Sequence, residues 1–226
     1  MPKLKAPKQI GKALMTVGVM VSPGEDASHL FTEERGFAKP IIMTRFTNHD
    51  LKPLDLIVFC GGSDVSPKMY GEAKLNGTHT DPGRDEFERA IHYMYYKSRK
   101  VGICRGAQFL CVLNGGRLWQ DVSGHTYGTH NIRLLKDNTL SSVNTVHHQI
   151  CRLTPEMQLL AYAEHTKCQY MHSSTEKLQV EDLMSQDEVE AFYIAHDRAL
   201  GVQWHPEYTH GPSTDLFWDL FKEHLS

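Results

Sequence analysis

The sequence predicts an α/β fold with three layers, in which helices cover both faces of a doubly wound, mostly parallel sheet. Residues 54–60 form a continuous apolar run, LDLIVFC, which is typical of a strand buried on both faces of a parallel sheet. Residues 81–116 alternate helix, strand and helix patterns, as doubly wound sheets do. From residue 117 to 202 the pattern changes to short β-like runs, which predict an antiparallel extension at one edge.

Strands are predicted where β-forming residues cluster, and helices where apolar residues recur every three to four positions. The predicted strands are Ala13–Val21, Pro40–Met43, Leu54–Cys60, Val101–Ile103, Asn131–Leu135, Ser142–His147, Gln158–Ala163, Val189–Ile194 and Ala199–Gln203. The predicted helices are Asp81–Arg99, a helix that begins at Arg105, and Ser213–Leu225 with Ser213 or Thr214 as its cap. Residues 22–40 are expected to form a loop with at most a short helix over Ser28–Arg35.

The composition describes one globular domain that spans residues 1–226, without repeats or linkers. A hydrophobic content of 40% is ordinary for a soluble protein, and the net charge of −3 offers no basic surface for nucleic acid. No apolar run reaches membrane-spanning length. The five cysteines include no C-x-x-C pair, so we expect a reducing, cytoplasmic location and no disulfide framework.

The centre of the pattern is the segment 101–114, VGICRGAQFLCVLN. Gly102 and Gly106 flank Cys104 as G-x-C-x-G, which is the nucleophile-elbow pattern with Cys in place of Ser. A sharp strand-to-helix turn needs neighbours without Cβ, and the helix start beside the sulfur favours the thiolate. A buried core cysteine in a glycine-bounded turn is the alternative, and the motif alone does not decide between them.

A partner base is expected near the C-terminus, where residues 200–207 read LGVQWHPE. Pro206 keeps the backbone of His205 extended, and residues i and i+2 of an extended segment lie on one side. Glu207 can therefore orient the His205 ring, although a surface turn with an incidental His and Glu would read the same way. The GGSD sequence at 61–64 follows a strand and indicates either a backbone that approaches a ligand or a plain tight turn.

Together these motifs resemble the class I glutamine amidotransferase family, a Cys-His-Glu group with a flavodoxin-like fold. The similarity is greatest to its stand-alone γ-glutamyl-γ-aminobutyrate hydrolase-like branch, peptidase family C26. The matching segments are GGSDVSPKMYGE at 61–72, DPGRDEFE at 81–88, GICRGAQ at 102–108, GGRLWQD at 115–121 and NTVHHQ at 144–149. The resemblance covers roughly residues 54–210. Residues 22–50 and 151–188 depart from the family pattern, and they are expected to shape the leaving-group side of the pocket.

The resemblance implies hydrolysis of a γ-glutamyl amide through a Cys-bound thioester, with a small γ-glutamyl molecule as substrate and no metal or organic cofactor. It assigns roles to nine residues. Cys104 is the nucleophile, His205 the base and acid, Glu207 the group that orients His205, the N–H groups of Gly62 and Arg105 the oxyanion hole, and Gln108, His147, His148 and Gln149 the contacts with the glutamyl group.

Three functions are compatible with this set: a free-standing hydrolase, a glutaminase subunit that passes ammonia to a synthetase partner, and a non-catalytic relative. The complete Cys104, His205 and Glu207 set favours catalysis. The released amine and a homodimer are not determined by the sequence, nor is the role of the Arg105 side chain, which is either a surface salt bridge or a guard beside the nucleophile. His165, Cys168 and His172 have a spacing that zinc ligands also show, but among 14 histidines such a spacing arises by chance.

Overall fold

The computed structural model of the chain describes residues 14–46, 52–164, 168–179, 188–208 and 211–226. In these ranges the strands are β1 (Val17–Met20), β2 (Ile41–Met43), β3 (Leu56–Phe59), β4 (Arg99–Ile103), β5 (Arg117–Trp119), β6 (Asp121–Val122), β7 (Gly128–Leu134), β8 (Leu140–Thr145), β9 (Ile150–Arg152), β10 (Gln158–Glu164), β11 (Tyr170–His172), β12 (Lys177–Gln179), β13 (Val189–Ile194) and β14 (Ala199–Val202). The helices are α1 (Pro82–Met94), α2 (Arg105–Leu113) and α3 (Pro212–Leu225), and short 3-10 turns cover Ser28–Leu30, Glu33–Arg35 and Pro67–Tyr70.

The centre of the molecule is a nine-stranded sheet with the order β2-β1-β3-β4-β14-β13-β10-β7-β8. The strands from β2 to β14 run parallel to one another, whereas the strands from β14 to β8 pair antiparallel. Two small sheets, β12-β11-β6 and β5-β9, accompany it. The predicted α/β class with an antiparallel extension is confirmed.

Consecutive residues of β3 show how the core is divided between the two faces of the sheet. Leu56 and Val58 pack in one apolar cluster, with Phe217 of α3, and Ile57 and Phe59 pack in the other. The second cluster also holds residues of α1 and α2. Helices therefore cover both faces, because a strand buried on both sides needs an apolar partner on each. Among the residues that the structure describes, no helix is both long enough and apolar enough to cross a membrane.

Several predicted boundaries need correction. The first strand, β1, is Val17–Met20 and is shorter than the predicted Ala13–Val21, of which Ala13 lies outside the described residues. Helix α1 ends at Met94, because the N–H of Arg99 donates to the carbonyl of Asp55 and so begins β4. Neither Ser213 nor Thr214 caps α3: both lie inside the helix, whose N-cap is Gly211. Five short strands, β5, β6, β9, β11 and β12, were not predicted, since two or three residues show no usable periodicity.

The strand-to-helix turn at Cys104 has the strained geometry that its flanking glycines predict. Cys104 adopts φ 51° and ψ −110°, a conformation that is uncommon for a residue with a Cβ. A Cβ on Gly102 would lie 2.5 Å from the amide nitrogen of Ala107, and a Cβ on Gly106 would lie 2.6 Å from the carbonyl carbon of Phe59 and nearer still to its oxygen. Both glycines are therefore required by close approach of backbone to backbone.

Gly106→Ala is expected to lower the free energy of unfolding by about 3 kcal/mol or more, at the upper end of the cost of overpacking. The added methyl group would collide with the backbone of β3, which cannot move without breaking the sheet. Urea unfolding followed by circular dichroism measures the effect. Gly83→Ala is the matched helical control, because its Cβ would approach closely the movable end of the Arg45 side chain and otherwise make an ordinary contact with Asp81, and Ala is the better helix former. Equal midpoints for the two variants would contradict the steric explanation.

Candidate active site

Cys104 lies where the parallel strand β4 meets the N-terminus of α2, and only 7% of its surface is exposed. Its N–H donates to the carbonyl of Val202, 2.8 Å away, so the turn is held against β14. The next residue, Arg105, is the first of α2, where backbone N–H groups have no acceptor within the helix. The sulfur therefore lies beside unpaired donors and the positive end of a helix dipole.

His205 and Glu207 form a buried pair just beyond β14. Nδ1 of His205 and Oε1 of Glu207 are 2.7 Å apart, and each side chain is 2% exposed. The extended backbone before Pro206 brings residues i and i+2 to one side, as the sequence predicts. Because Nδ1 is engaged by Glu207, Nε2 is the ring nitrogen left for another partner.

The pKa of His205 is raised to about 10. Burial alone would lower the pKa and is the largest single effect, but the charge of the neighbouring Cys104 sulfur, the hydrogen bonds to Cys104 and Glu207 and the charge of Glu207 together outweigh it. His205 therefore holds its proton at neutral pH. Cys104, which precedes His205 by 101 residues in the chain, therefore interacts electrostatically with the His205–Glu207 pair.

The backbone of His205 is fixed by Asn144, which lies on β8. The side-chain amide of Asn144 accepts from the N–H of His205 at 2.8 Å and donates to its carbonyl at 2.7 Å. Beyond it, Thr214 of α3 donates to the carbonyl of Pro206 at 2.7 Å. These contacts leave the His205 backbone little freedom, which keeps its ring directed at the elbow.

The backbone at the start of the GGSD turn, after β3, is bound by the buried side chain of Arg84. The guanidinium of Arg84 donates to the carbonyls of Gly61 and Cys60 at 2.8 and 2.9 Å and pairs with Glu88 at 2.7 Å. Gly62 has φ +130°, and a Cβ there would collide with Arg84. Arg84 therefore fixes the two carbonyls that precede Gly62, and the approach of this backbone to a ligand stays a prediction.

The side chain of Arg105 does not reach the surface, which excludes one of its two sequence interpretations. It is 1% exposed and pairs with Asp85 and Glu88 of α1. Glu88 thus accepts from Arg105 with one oxygen and from Arg84 with the other. A continuous buried ion network therefore links the elbow helix to the GGSD turn.

The predicted glutamyl contacts occupy different environments. Nε2 of Gln108 donates to the carbonyl of Gln149 at 3.1 Å, and the side chain of Gln149 donates to the carbonyl of Gln120 at 3.3 Å. His148 is a third exposed and lies 3.0 Å from Asp64 of the GGSD turn, which raises the pKa of the His148 ring. His147 instead turns into the interior, and its role as a substrate contact stays a prediction.

Sequence reasoning missed two residues that reach this site. Oε2 of Glu25 lies 3.6 Å from Nδ1 of His205, and the hydroxyl of Tyr208 donates to both oxygens of Glu25 at 3.0 Å. The Tyr208 ring stacks on the His205 ring with centroids 4.2 Å apart. Glu25 follows β1, so the rule that loops at the carboxyl ends of parallel strands line ligand sites could have indicated it.

Among the residues that the structure describes, two groups of side chains are arranged closely enough to hold a cation. Glu25, His205 and Glu207 form one. The other is the histidine–glutamate cluster, which consists of His125, His147 and Glu190 in the antiparallel half of the molecule, with His130 beside Glu190. In the predicted His165, Cys168 and His172 set, His165 lies outside the described residues, Cys168 donates to the carbonyl of Tyr170, and His172 stacks on the Tyr170 ring.

The histidines of this cluster differ in their response to burial. Burial lowers the pKa of His147 to about 4, more than the attraction of Glu190 can offset. Burial also acts to lower the pKa of His125, but the hydrogen bond to Glu188 and the negative charges of Glu188 and Glu190 together outweigh it and raise that pKa to about 9.

An elbow cysteine at the carboxyl edge of a parallel sheet, beside a buried His–Glu pair, defines a protein of the class I glutamine amidotransferase type. A family model confirms the class: residues 39–207 match peptidase C26, and the chain belongs to that family. The match begins at Lys39 and includes every residue to which the sequence assigned a role.

Curated relatives agree with this assignment. The glutamine amidotransferase-like protein YvdE of Lactococcus lactis is 35% identical over 195 residues, which cover 75% of this chain and 73% of that protein. The γ-glutamyl-γ-aminobutyrate hydrolase PuuD of Escherichia coli is 30% identical over 190 residues, which cover 70% of this chain and 66% of PuuD. A crystal structure of a glutamine amidotransferase from Thermotoga maritima has the same fold, with a TM-score of 0.58 at 17% identity, covering 95% of this chain and 85% of the other.

Proposed function

We propose that the protein hydrolyses a γ-glutamyl amide bond through a γ-glutamyl thioester on Cys104 and releases glutamate together with ammonia or an amine. The observation that carries the proposal is the strained elbow of Cys104 beside the buried His205–Glu207 pair. Membership of peptidase C26 and the similarity to PuuD support this reaction class. The chemistry needs no metal or organic cofactor, because the sulfur and the imidazole supply the nucleophile and the proton.

In the first half of the reaction the Cys104 sulfur attacks the γ-carbonyl carbon and a C–S bond forms. The C–N bond then breaks, and the proton on His205 passes to the departing nitrogen. In the second half His205 takes a proton from water, the resulting hydroxide attacks the thioester carbon, and the C–S bond breaks to regenerate the thiolate. Glu207 holds the ring in the tautomer that both steps require.

The oxyanion of each tetrahedral intermediate would be bound by the N–H groups of Arg105 and Gly62. The first belongs to the opening turn of α2, and the second follows the two carbonyls that Arg84 holds. Preorganised donors of this kind contribute about 3–4 kcal/mol each to transition-state stabilisation. The amino and carboxylate ends of the glutamyl group would be bound by Gln108 of α2 and by His148 and Gln149, which follow β8.

Glutamate release by the purified chain tests the proposal, with glutamine and a panel of γ-glutamyl amines as substrates and Cys104→Ala as the blank. Rapid, Cys104-dependent cleavage of one substituted amine identifies a free-standing hydrolase and its substrate. Slow cleavage of glutamine alone would favour the alternative, a glutaminase subunit that delivers ammonia to a synthetase. If the folded protein cleaves no member of the panel, the hydrolase proposal is wrong.

The pH profile provides a further prediction, because the transferred proton resides on His205. Since the pKa of this ring is about 10, kcat/KM is expected to fall as the pH rises through about 10. Glu207→Gln removes a charge that favours the protonated ring, so it should move this alkaline limb down by about 1–3 pH units. Kinetics with a chromogenic γ-glutamyl anilide measure the shift. Glu223→Gln, at a surface ion pair with Lys136, is the control and should leave the limb in place.

A further inference from the structure

The histidine–glutamate cluster lies in the antiparallel half of the molecule. His125 lies in the loop between β6 and β7, His130 on β7, His147 just after β8, and Glu190 on β13. The side chains of His125, His147 and Glu190 are at most 1% exposed, and that of His130 is 7% exposed. His125, His147 and Glu190 face one another at the centre of the cluster. The steps of the proposed hydrolysis use none of these three side chains.

The ring nitrogens of this cluster divide into an outer and an inner set. Outside, Nε2 of His125 lies 2.8 Å from Glu188, and Nδ1 of His147 lies 3.0 Å from the carbonyl of Gln149. A carbonyl only accepts, so Nδ1 of His147 carries the hydrogen and donates it. Inside, Nδ1 of His125 and Nε2 of His147 both face Oε1 of Glu190, each at 3.5 Å.

The two inner distances are longer than those of direct charge-assisted hydrogen bonds. A charge-assisted N–H···O bond between these groups would be about 2.7–2.9 Å long. Neither inner nitrogen nor either oxygen of Glu190 makes a hydrogen bond of acceptable geometry within the described residues. Buried polar atoms in such a state are costly unless a further group satisfies them.

The same distances do suit a tetrahedral metal centre. Zinc bonds to histidine nitrogen and carboxylate oxygen are about 2.0–2.1 Å long, which separates two ligand atoms by about 3.3 Å. The outer contacts are also those of metal-bound histidines, whose second ring nitrogen donates to a carboxylate or a backbone carbonyl. His130 lies beside this group, with its Nε2 2.9 Å from Oε1 of Glu190. Three protein ligands leave the fourth tetrahedral position to a water molecule.

We propose that His125, His147 and Glu190 bind a divalent transition-metal ion of the zinc type. The donor set is two imidazoles and one carboxylate, which favours zinc over the oxygen-seeking magnesium and calcium. The site would join the loop before β7, the end of β8 and β13. The carbonyl of Gln149 accepts from both His147 and Gln108 of α2. By fixing His147, the ion would therefore also stabilise the segment that packs beside α2, and its role is structural.

Metal analysis and cobalt substitution of the full chain test this proposal independently of catalysis. The protein purified without chelators should contain about one zinc ion per chain. The Co²⁺ form should show the visible bands of tetrahedral nitrogen and oxygen ligation without thiolate-to-cobalt charge transfer. Failure of the folded chain to take up Zn²⁺ or Co²⁺ would overturn the site. Thiolate bands would do the same, because they would place the ion at Cys168 or Cys104 instead.

Variants locate the ion. Glu190→Gln and His147→Gln should weaken Zn²⁺ binding by tenfold or more in a chelator competition assay. His92→Gln, which removes another buried histidine, one paired with Asp197, should leave the affinity unchanged. Cys168→Ser and Glu207→Gln should also retain the ion, and loss of it from either would assign the metal to a different site. If the cluster variants fail to fold, the cobalt spectrum of the wild-type protein still tests the site, because it shows whether the ligands are nitrogen and oxygen atoms or thiolates.

Discussion

Cys104→Ala is expected to lower the rate of glutamate release at least about 10⁴-fold, since removal of a nucleophile eliminates the covalent route altogether. The residual rate would come from binding and the oxyanion donors alone. Alanine also has a Cβ, so it experiences the same backbone strain at φ 51° as cysteine. The variant should therefore keep the unfolding midpoint of the wild type, and the loss can be ascribed to chemistry.

Cys111→Ala is the matched control for this experiment. Cys111 lies on the same helix, is fully buried and is free, as all five cysteines are. Its loss should change the rate by no more than a few-fold. Alkylation adds a second criterion, since a thiolate beside a helix N-terminus reacts faster than a buried thiol. Equal labelling rates for Cys104 and Cys111, or substantial activity in Cys104→Ala, would support the non-catalytic hypothesis.

The parts of the site that the sequence could predict are those whose geometry is decided within a few residues. Gly102 and Gly106 can be assigned because any Cβ would meet the adjacent backbone of a tight turn. The His205–Glu207 pair can be assigned because Pro206 keeps the backbone extended, and residues i and i+2 of an extended segment place their side chains on the same side. In both cases local stereochemistry determines the contact before the rest of the chain folds.

Contacts between distant segments could not be predicted in this way. Glu25 and Tyr208 are 183 residues apart and meet only because the ends of β1 and β14 share one edge of the sheet. The direction of His147 is another case. Successive residues of an extended segment point to opposite sides, so when His148 turns to Asp64, His147 turns to Glu190. The HHQ motif does not by itself reveal which of its histidines faces the pocket.

The buried ion network gives the largest expected effect on stability. Arg105→Met removes the cation that lies between Asp85 and Glu88, whose side chains are 4% and 1% exposed. Removal of one partner from a buried pair leaves an uncompensated charge and costs about 3–5 kcal/mol. Methionine retains most of the apolar stem, so the loss reports the charge rather than the packing. Urea unfolding at pH 7 measures it, with Arg45→Met as control, because the pair of Arg45 with Asp81 is more than a third exposed and is worth about 1 kcal/mol or less.

Neutralising a partner distinguishes charge burial from a general defect. In the double variant Arg105→Met with Glu88→Gln, an amide of the same shape removes the excess negative charge that the loss of Arg105 leaves beside Arg84, so part of the lost stability should return. Glu88→Gln alone should be destabilising, because Arg105 and Arg84 then share a weaker acceptor. A positive coupling energy in this cycle would show that the network acts as one unit. Additive losses would mean that Arg105 stabilises α2 separately from Glu88, and that the GGSD turn depends on Arg84 alone.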